Sequence, residues 1–537
     1  MKKIILFFAL FLLSGILFAE SDFSLETGKD GNLFYFGEVT KGRIVSKNPD
    51  IKKVSGTLEY YDSYGKLIRT ENINFEKEKK LSLPNKKGCV EIKYDFTVND
   101  SQKAQGSFSY ATIPDNQKIM GGMTSYFGAN THFNQYWDLN VGKIVKRAGV
   151  SWIRDGEACV GNERAFDVAK ENGLLYMPCF TAFMRIPAFE KVKKEMAQGK
   201  SADSTWDFSN ELDCVRDYIR QYGDGIDFYN VMNEQNYSGW RELGGEEYYG
   251  PWVGIFIQWA KQVSDIIREM DPTAKIVWDD ANFSNIFDYE KYGIDKEIDY
   301  ISIHPYAPKT EHTYRRYITA TGKTEDILID ELYKRFFDFN KEYKRNWKVM
   351  EGENGFPSFI KSEKDPTGYA SRTPDIQAAA LVRMYIQHLA CGAERIIWYD
   401  FKDDGTDPGM AEQNFGLVKY DGSPKPSVCA YANLINILEG GKVTGRNSDY
   451  RNPAYVYEFA DRYGKKGLVC WTEPMPVYPD YRGKIISKTD YSKEIDIKTN
   501  KMSVKSMDMF GNVSYIKANN GRITVKLTEY PVYILGI

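Results

Sequence analysis

Between residues 23 and 115 apolar and polar side chains alternate in short runs, the period-two pattern of half-buried strands. GTLEYYDSYGKLIRTENINF, residues 56–75, is one such stretch, with Ser63-Tyr64-Gly65 as its hairpin tip. No helical period interrupts the region, which reads as a small antiparallel β-sandwich. Near Pro114-Asp115-Asn116 the pattern changes. Short apolar runs now alternate with helix-like segments such as YGPWVGIFIQWAKQVSDIIREMDP and TPDIQAAALVRMYIQHLACGA. Strand then helix, repeated, implies an α/β domain with parallel strands. The candidate strands are KIMGGMTSYFG, GVSWIRD, LLYMPCF, IDFYNVMNE, KIVWDD, IDYISIHPY, WKVMEGENG and RIIWYDF. Eight such repeats over residues 116–437 predict a (β/α)8 TIM barrel. A doubly wound open sheet is the alternative, but no Gly-rich nucleotide fingerprint follows the first strand. From residue 438 the alternation returns and runs to NNGRITVKLTEYPVYILGI, where Asn519-Asn520-Gly521 signals a turn. The expectation for 438–537 is a second β-sandwich.

Composition narrows the function. A chain of 537 residues is too long for one core. Its net charge of -3 gives no electrostatic case for nucleic acid or an anionic membrane. The opening MKKIILFFALFLLSGILFAE has the layout of a signal peptide, residues 1–19, cleaved after Ala19. Secretion or a periplasmic location follows, and no later segment is apolar enough for a transmembrane helix. The 7 cysteines show no CxxC or metal spacing and several sit in apolar runs, so buried thiols are expected rather than a disulfide framework.

Barrel enzymes carry their working residues at the C-terminal strand ends. One such end, FYNVMNEQNYSGW, closes an apolar run with an amide and a carboxylate side by side. Polar or aromatic residues closing the other runs include Arg154, Asp279, His304, Tyr306, Glu353, Trp398 and Asp400. Two glutamates on non-adjacent strands, an arginine and aromatics suit glycosidic chemistry, which needs two carboxyl groups flanking the anomeric carbon. One must hold a proton, and the other must stay ionised beside a cation, for which Arg154 is available. Each residue also has a plain structural reading. Glu234 could be a solvated loop acid, Asn233 a cap, Arg154 a strand bridge to Asp155 or Glu157, His304 a structural histidine, and Trp398 core.

Asn233-Glu234 after the fourth strand and Glu353-Asn354-Gly355 after the seventh resemble the paired motifs of the retaining glycoside hydrolases of clan A. The pattern is nearest to family 39, and it extends to SWIRD, to His304-Pro305-Tyr306 and to Trp398. The resemblance implies Glu234 as acid/base and Glu353 as nucleophile. It further implies Asn233 on the sugar 2-hydroxyl, Tyr306 donating to the nucleophile, and Trp398 as a stacking floor, with Arg154 and His304 in support. It implies a carbohydrate substrate, no cofactor and no metal. Two departures stand out. Gln235 replaces the clan's usual proline, and Glu351-Gly352-Glu353 offers two nucleophile candidates that strand alternation would point the same way. The glycine two residues on favours Glu353. Retention requires carboxyls about 5–5.5 Å apart. Tyr126, His132, Phe133, Trp240, Trp278 and Phe356 are further candidates for subsites. The long third, fourth, sixth and seventh units would mould the cleft. A non-catalytic carbohydrate-binding protein on the same barrel, or a metal-dependent hydrolase, is the rival reading; the latter usually needs more than the 4 histidines present.

Overall fold

The computed structural model describes residues 22–156, 158, 163–180, 187–235, 243–244, 250–281, 283–307, 313–318, 323–450, 453–472 and 492–537. The expected signal peptide and Trp240 lie outside the described residues. The chain forms two compact units. The first takes in residues up to Lys29, Val39–Asn85 and Val90–Ser109. Here strands Val54–Asp62 and Leu67–Phe75 pair as an antiparallel hairpin, turning where Gly65 takes a φ of 74°. Phe75, Tyr94 and Phe96 pack edge-on around Phe23, joining this sheet to strands Phe23–Glu26, Lys41–Ser46 and Glu78–Ser82.

The second unit holds Asp30–Glu38, Lys86–Cys89 and Tyr110–Ile537. Its centre is a sheet of eight parallel strands: β1 (Phe127–Thr131), β2 (Trp152–Asp155), β3 (Leu175–Pro178), β4 (Phe228–Val231), β5 (Lys275–Asp279), β6 (Tyr300–Ile303), β7 (Lys348–Asn354) and β8 (Arg395–Trp398). Hydrogen bonding runs in the order β3-β2-β1-β8-β7-β6-β5-β4. Single bridges, Tyr176 to Ile226 and Cys179 to Asn230, close the gap between β3 and β4. The predicted (β/α)8 barrel is therefore the observed one. The first strand begins later than its apolar run suggested. Gly121-Gly122 interrupt that run, Gly122 takes a φ of 53°, and Gly122–Thr124 curl into a 3-10 turn.

Strand alternation fills the barrel. Trp152, Met177, Phe228, Val277, Tyr300, Met350 and Ile397, one from each of seven strands, pack together inside. Helices such as Pro251–Met270 and Pro374–Cys391 lie between successive strands in sequence, each opening on a proline that needs no amide partner there. Beneath the filled layer Arg395, at the start of β8, sets its guanidinium 5.3, 4.5 and 5.2 Å from the rings of Trp152, Phe228 and Tyr300. It also donates to the Tyr300 hydroxyl at 2.9 Å. A desolvated cation over three aromatic faces is a strong contact.

After the barrel, a six-stranded antiparallel sheet faces a two-stranded one, Lys493–Lys498 with Arg522–Leu527. Val456, Leu468, Cys470, Ile497, Ile523 and Val525 form the core between them. Asn520 and Gly521 both take positive φ, as the turn signal required, but the strands they join belong to different sheets. No disulfide joins the described cysteines, Cys89, Cys179, Cys214, Cys391, Cys429 and Cys470, to one another. No helix among the described residues is long and apolar enough to cross a membrane. Replacing Arg395 by methionine keeps the volume and removes the charge; it is expected to cost about 3 kcal/mol, read as a lowered urea midpoint.

Candidate active site

Arg154 is the inward-facing residue of β2 one step above Trp152, and it is 3% exposed. Its Nε donates to Asn230 Oδ1 at 2.7 Å. Nη1 donates to Asn130 at 2.9 Å and to Glu353 Oε1 at 2.8 Å, and Nη2 donates to Asn233 Oδ1 at 2.6 Å. Asp279 Oδ2 lies 3.5 Å from Nη2. Burial alone would favour losing the proton, but Glu353 and Asp279 outweigh it and raise the guanidinium pKa further.

Glu234 reaches the same place by a bent route. β4 ends at Val231, and then Met232 and Glu234 take φ of 78° and 43°. Left-handed backbone at two non-glycine residues is costly and must be held. Asp279 does part of the holding, accepting the Glu234 amide at 3.1 Å. Gln235 does the rest: fully buried, its side-chain amide donates to the Asp279 carbonyl and to Tyr289 Oη at 3.3 Å. The residue that departs from the clan's proline thus secures the loop by side-chain bonds.

On β7 the two glutamates part company. Against β8, Glu351 stands opposite Ile396 and Asn354 opposite Trp398, so β7 carries one extra residue. Such a bulge breaks alternation. Contrary to the expectation that 351 and 353 share a side, Glu351 points outward and Glu353 into the barrel mouth. Glu351 is fully buried and accepts from Tyr333, His388 and, at 3.0 Å, Asn354. Gly352 faces inward, where a Cβ would sit 2.3 Å from Ser302 Oγ. Its carbonyl accepts from Asn130 at 2.9 Å. Glu353 accepts from Arg154 and, at 3.2 Å, from Tyr306. Burial works against its charge, yet His304 and Arg154, with the bonds from Arg154 and Tyr306, hold its pKa below the usual carboxylate range.

His304 joins the two acids. Its Nδ1 lies 2.9 Å from Glu234 Oε1 and 3.7 Å from Glu353 Oε2. Nε2 lies 3.5 Å from Asp279. Burial pulls its pKa down, but Glu353, Asp279 and Glu234 outweigh that and lift it to about 9. At neutral pH it is an imidazolium with an acceptor at each nitrogen. One atom each of Glu234, His304 and Glu353 lie within 4.8 Å of one another.

Arg154, Glu234 and Glu353 line a cleft of about 510 Å³ with His132, Gln135, Asn233, Tyr306, Tyr369, Tyr399, Glu412 and Phe415 among its walls. Of the residues singled out from the sequence, Arg154, Asn233, Glu234, Tyr306 and Glu353 line it, and His304 lies directly beneath. Trp398 does not. Ile397 faces the barrel interior, so its neighbour turns away; Trp398 is fully buried with Nε1 donating to the Phe415 carbonyl. The aromatic wall is Tyr369, Tyr399 and Phe415 instead. Of the looser candidates His132 lines the cleft, whereas Phe133, Trp278 and Phe356 are core and the Tyr126 hydroxyl donates to the Gly441 carbonyl. Asp279 proves a buried hub, and Asp280 caps the turn at Ser284 and Asn285. Asn130 and Asn230 were not anticipated, although counting by twos along β1 and β4 would have pointed to both.

No protein-family model matches the chain, and no curated protein matches it. The chain shares its fold with a family 39 glycoside hydrolase from the gut symbiont Bacteroides cellulosilyticus WH2. The TM-score is 0.69 at 18% identity, over 96% of this chain and 100% of that one. The resemblance noted in the motifs therefore holds at the level of fold. A glucosidase from Croceicoccus marinus aligns at a TM-score of 0.46 and 12% identity, over 78% of this chain and 97% of its own. A β-glucuronidase from Bacteroides uniformis gives 0.39 and 14%, over 91% and 55%. Neither score is high enough to bear on the site.

The two β7 glutamates should separate in stability. Glu351→Ala strands His388 and Tyr333 without their acceptor and should cost about 3–5 kcal/mol. Glu353→Gln keeps shape and an acceptor for Arg154, and should shift the urea midpoint far less.

Proposed function

We propose that the protein is a retaining glycoside hydrolase acting on a β-linked poly- or oligosaccharide. The observation that carries this reading is the convergence of Glu234 and Glu353 on one open cleft, with an atom of each inside 4.8 Å. That spacing supports the double-displacement geometry of about 5–5.5 Å over the roughly 6.5–9.5 Å an inverting enzyme needs. In this reading the ionised Glu353 attacks the anomeric carbon while Glu234 protonates the departing oxygen. The glycosidic bond breaks and a glycosyl ester of Glu353 forms. Glu234, now a carboxylate, takes a proton from water; the water oxygen adds to the anomeric carbon and Glu353 leaves. Two inversions give net retention.

The electrostatics support this division of labour. Arg154 and Tyr306 would stabilise the charge on Glu353 before attack and after release. His304 and Glu234, joined by one hydrogen bond, would share the proton that the leaving group needs. Asn233, oriented by Arg154, is placed to meet the 2-hydroxyl beside the reacting carbon. Tyr369, Tyr399 and Phe415 would offer aromatic faces to the sugar. We further propose export by the N-terminal signal, which would place the enzyme where polysaccharides are.

A panel of β-linked polysaccharides and aryl glycosides, with the product anomer followed by NMR, tests the reading; an initial α-anomer would contradict it. Glu353→Ala is expected to lower turnover at least about 10^4-fold. Glu234→Ala should lose about 10²–10⁴-fold, most for poor leaving groups, with azide restoring part of the rate as the β-glycosyl azide. Because the His304 proton is held up to about pH 9 in the free protein, kcat/KM should fall as pH rises through that value. His304→Gln should move or abolish this alkaline limb.

A further inference from the structure

A second cluster at the cleft is not used by this chemistry. His132 follows β1, Asp400 and Asp404 follow β8, and these strands are hydrogen-bonded neighbours, so the barrel itself brings the three together. His132 Nε2 lies 3.8 Å from Asp400 Oδ2 and 3.6 Å from Asp404 Oδ2. These separations exceed hydrogen-bond reach. Asp400 is 1% exposed, yet neither of its oxygens has a hydrogen-bond partner, and His132 Nε2 has none either. Buried polar atoms are nearly always paired, and an unpaired buried carboxylate is costly. The nearby lysines do not answer it: Lys425 Nζ bonds Asp403 Oδ1 at 2.6 Å, and Lys402 Nζ donates to the Asp403 carbonyl at 3.2 Å. Asp404 is tethered through Oδ1 to Trp137 Nε1 at 3.2 Å, leaving Oδ2 toward His132.

We propose that His132, Asp400 and Asp404 form a divalent-cation site that opens on the cleft. One imidazole with two carboxylates is a donor set that divalent metals accept. Adjacent ligands of an octahedral ion sit about 1.4 bond lengths apart, so the observed 3.6 and 3.8 Å correspond to bonds of about 2.6 Å. A small inward movement would bring that to the length manganese or zinc takes, and both accept imidazole beside carboxylate. Since His132 lines the cleft, the ion's open positions would face it, where water or sugar hydroxyls could complete the shell. The site stands independently of the glycosidase reading, because ion binding can be measured without turnover.

The test uses the full chain, stripped with chelator and titrated with Mn²⁺ and Zn²⁺ by calorimetry. The expected result is saturable binding of one ion per chain, with a raised unfolding midpoint. Asp400→Asn should weaken binding at least about tenfold. Should that variant fail to fold, His132→Gln, at the cleft surface, should show the same loss. Absence of binding at about millimolar ion would overturn the proposal. So would binding that survives these substitutions, or an apo protein that Asp400→Asn stabilises while wild type takes up no ion.

Discussion

A positive charge buried under the barrel mouth organises this molecule. Arg154 is almost wholly shielded from bulk water, so its guanidinium donors need acceptors inside the fold. It finds them on β1, β4, β5 and β7 and in the loop after β4. Those acceptors explain the asparagines facing inward at 130 and 230 where a barrel would otherwise carry aliphatic side chains. They also fix Glu353 and Asn233 relative to each other from below. Remove the charge and four strand ends lose their common partner.

The contrast between Glu351 and Glu353 shows how little the residue type decides. Two residues apart on one strand, one is locked behind the barrel by His388 and Tyr333 and the other opens on solvent. The inserted residue in β7 makes the difference, and Gly352 lets the inserted backbone pass against Ser302 where a side chain would collide. Asn354 bonds Glu351, so the outward acid also braces the bulge that turns Glu353 inward. His304 then couples the cleft acids, bearing a proton that both carboxylates draw toward themselves.

Much of this was legible in the chain. Eight apolar runs separated by amphipathic stretches can close as a barrel, and polar residues at their ends land on one rim because parallel strands share a direction. Arg154, Asn233, Glu234, His304, Tyr306 and Glu353 follow from that rule. What escaped depends on geometry that periodicity does not carry. A bulge shifts phase by one residue without altering hydrophobicity, so 351 and 353 looked equivalent. Trp398 closes an apolar run but stands one position out of phase with the interior, and its neighbour Tyr399 meets the cleft. Tyr369, Glu412 and Phe415 arrive on long connections after β7 and β8, whose course is set by tertiary packing. Gly121-Gly122, within the first apolar run, was a local signal passed over, as was the step of two that leads to Asn130 and Asn230.

The central claim is that Glu353, and not Glu351, becomes covalently linked to sugar while Glu234 serves the departing group. An activated 2-deoxy-2-fluoro-β-glycoside of the preferred sugar slows release of the glycosyl ester enough for peptide mapping by mass spectrometry. The account predicts a single label on Glu353, formed in step with loss of activity and released by an acceptor sugar. A label on Glu351, or inactivation with no ester at either residue, would contradict it.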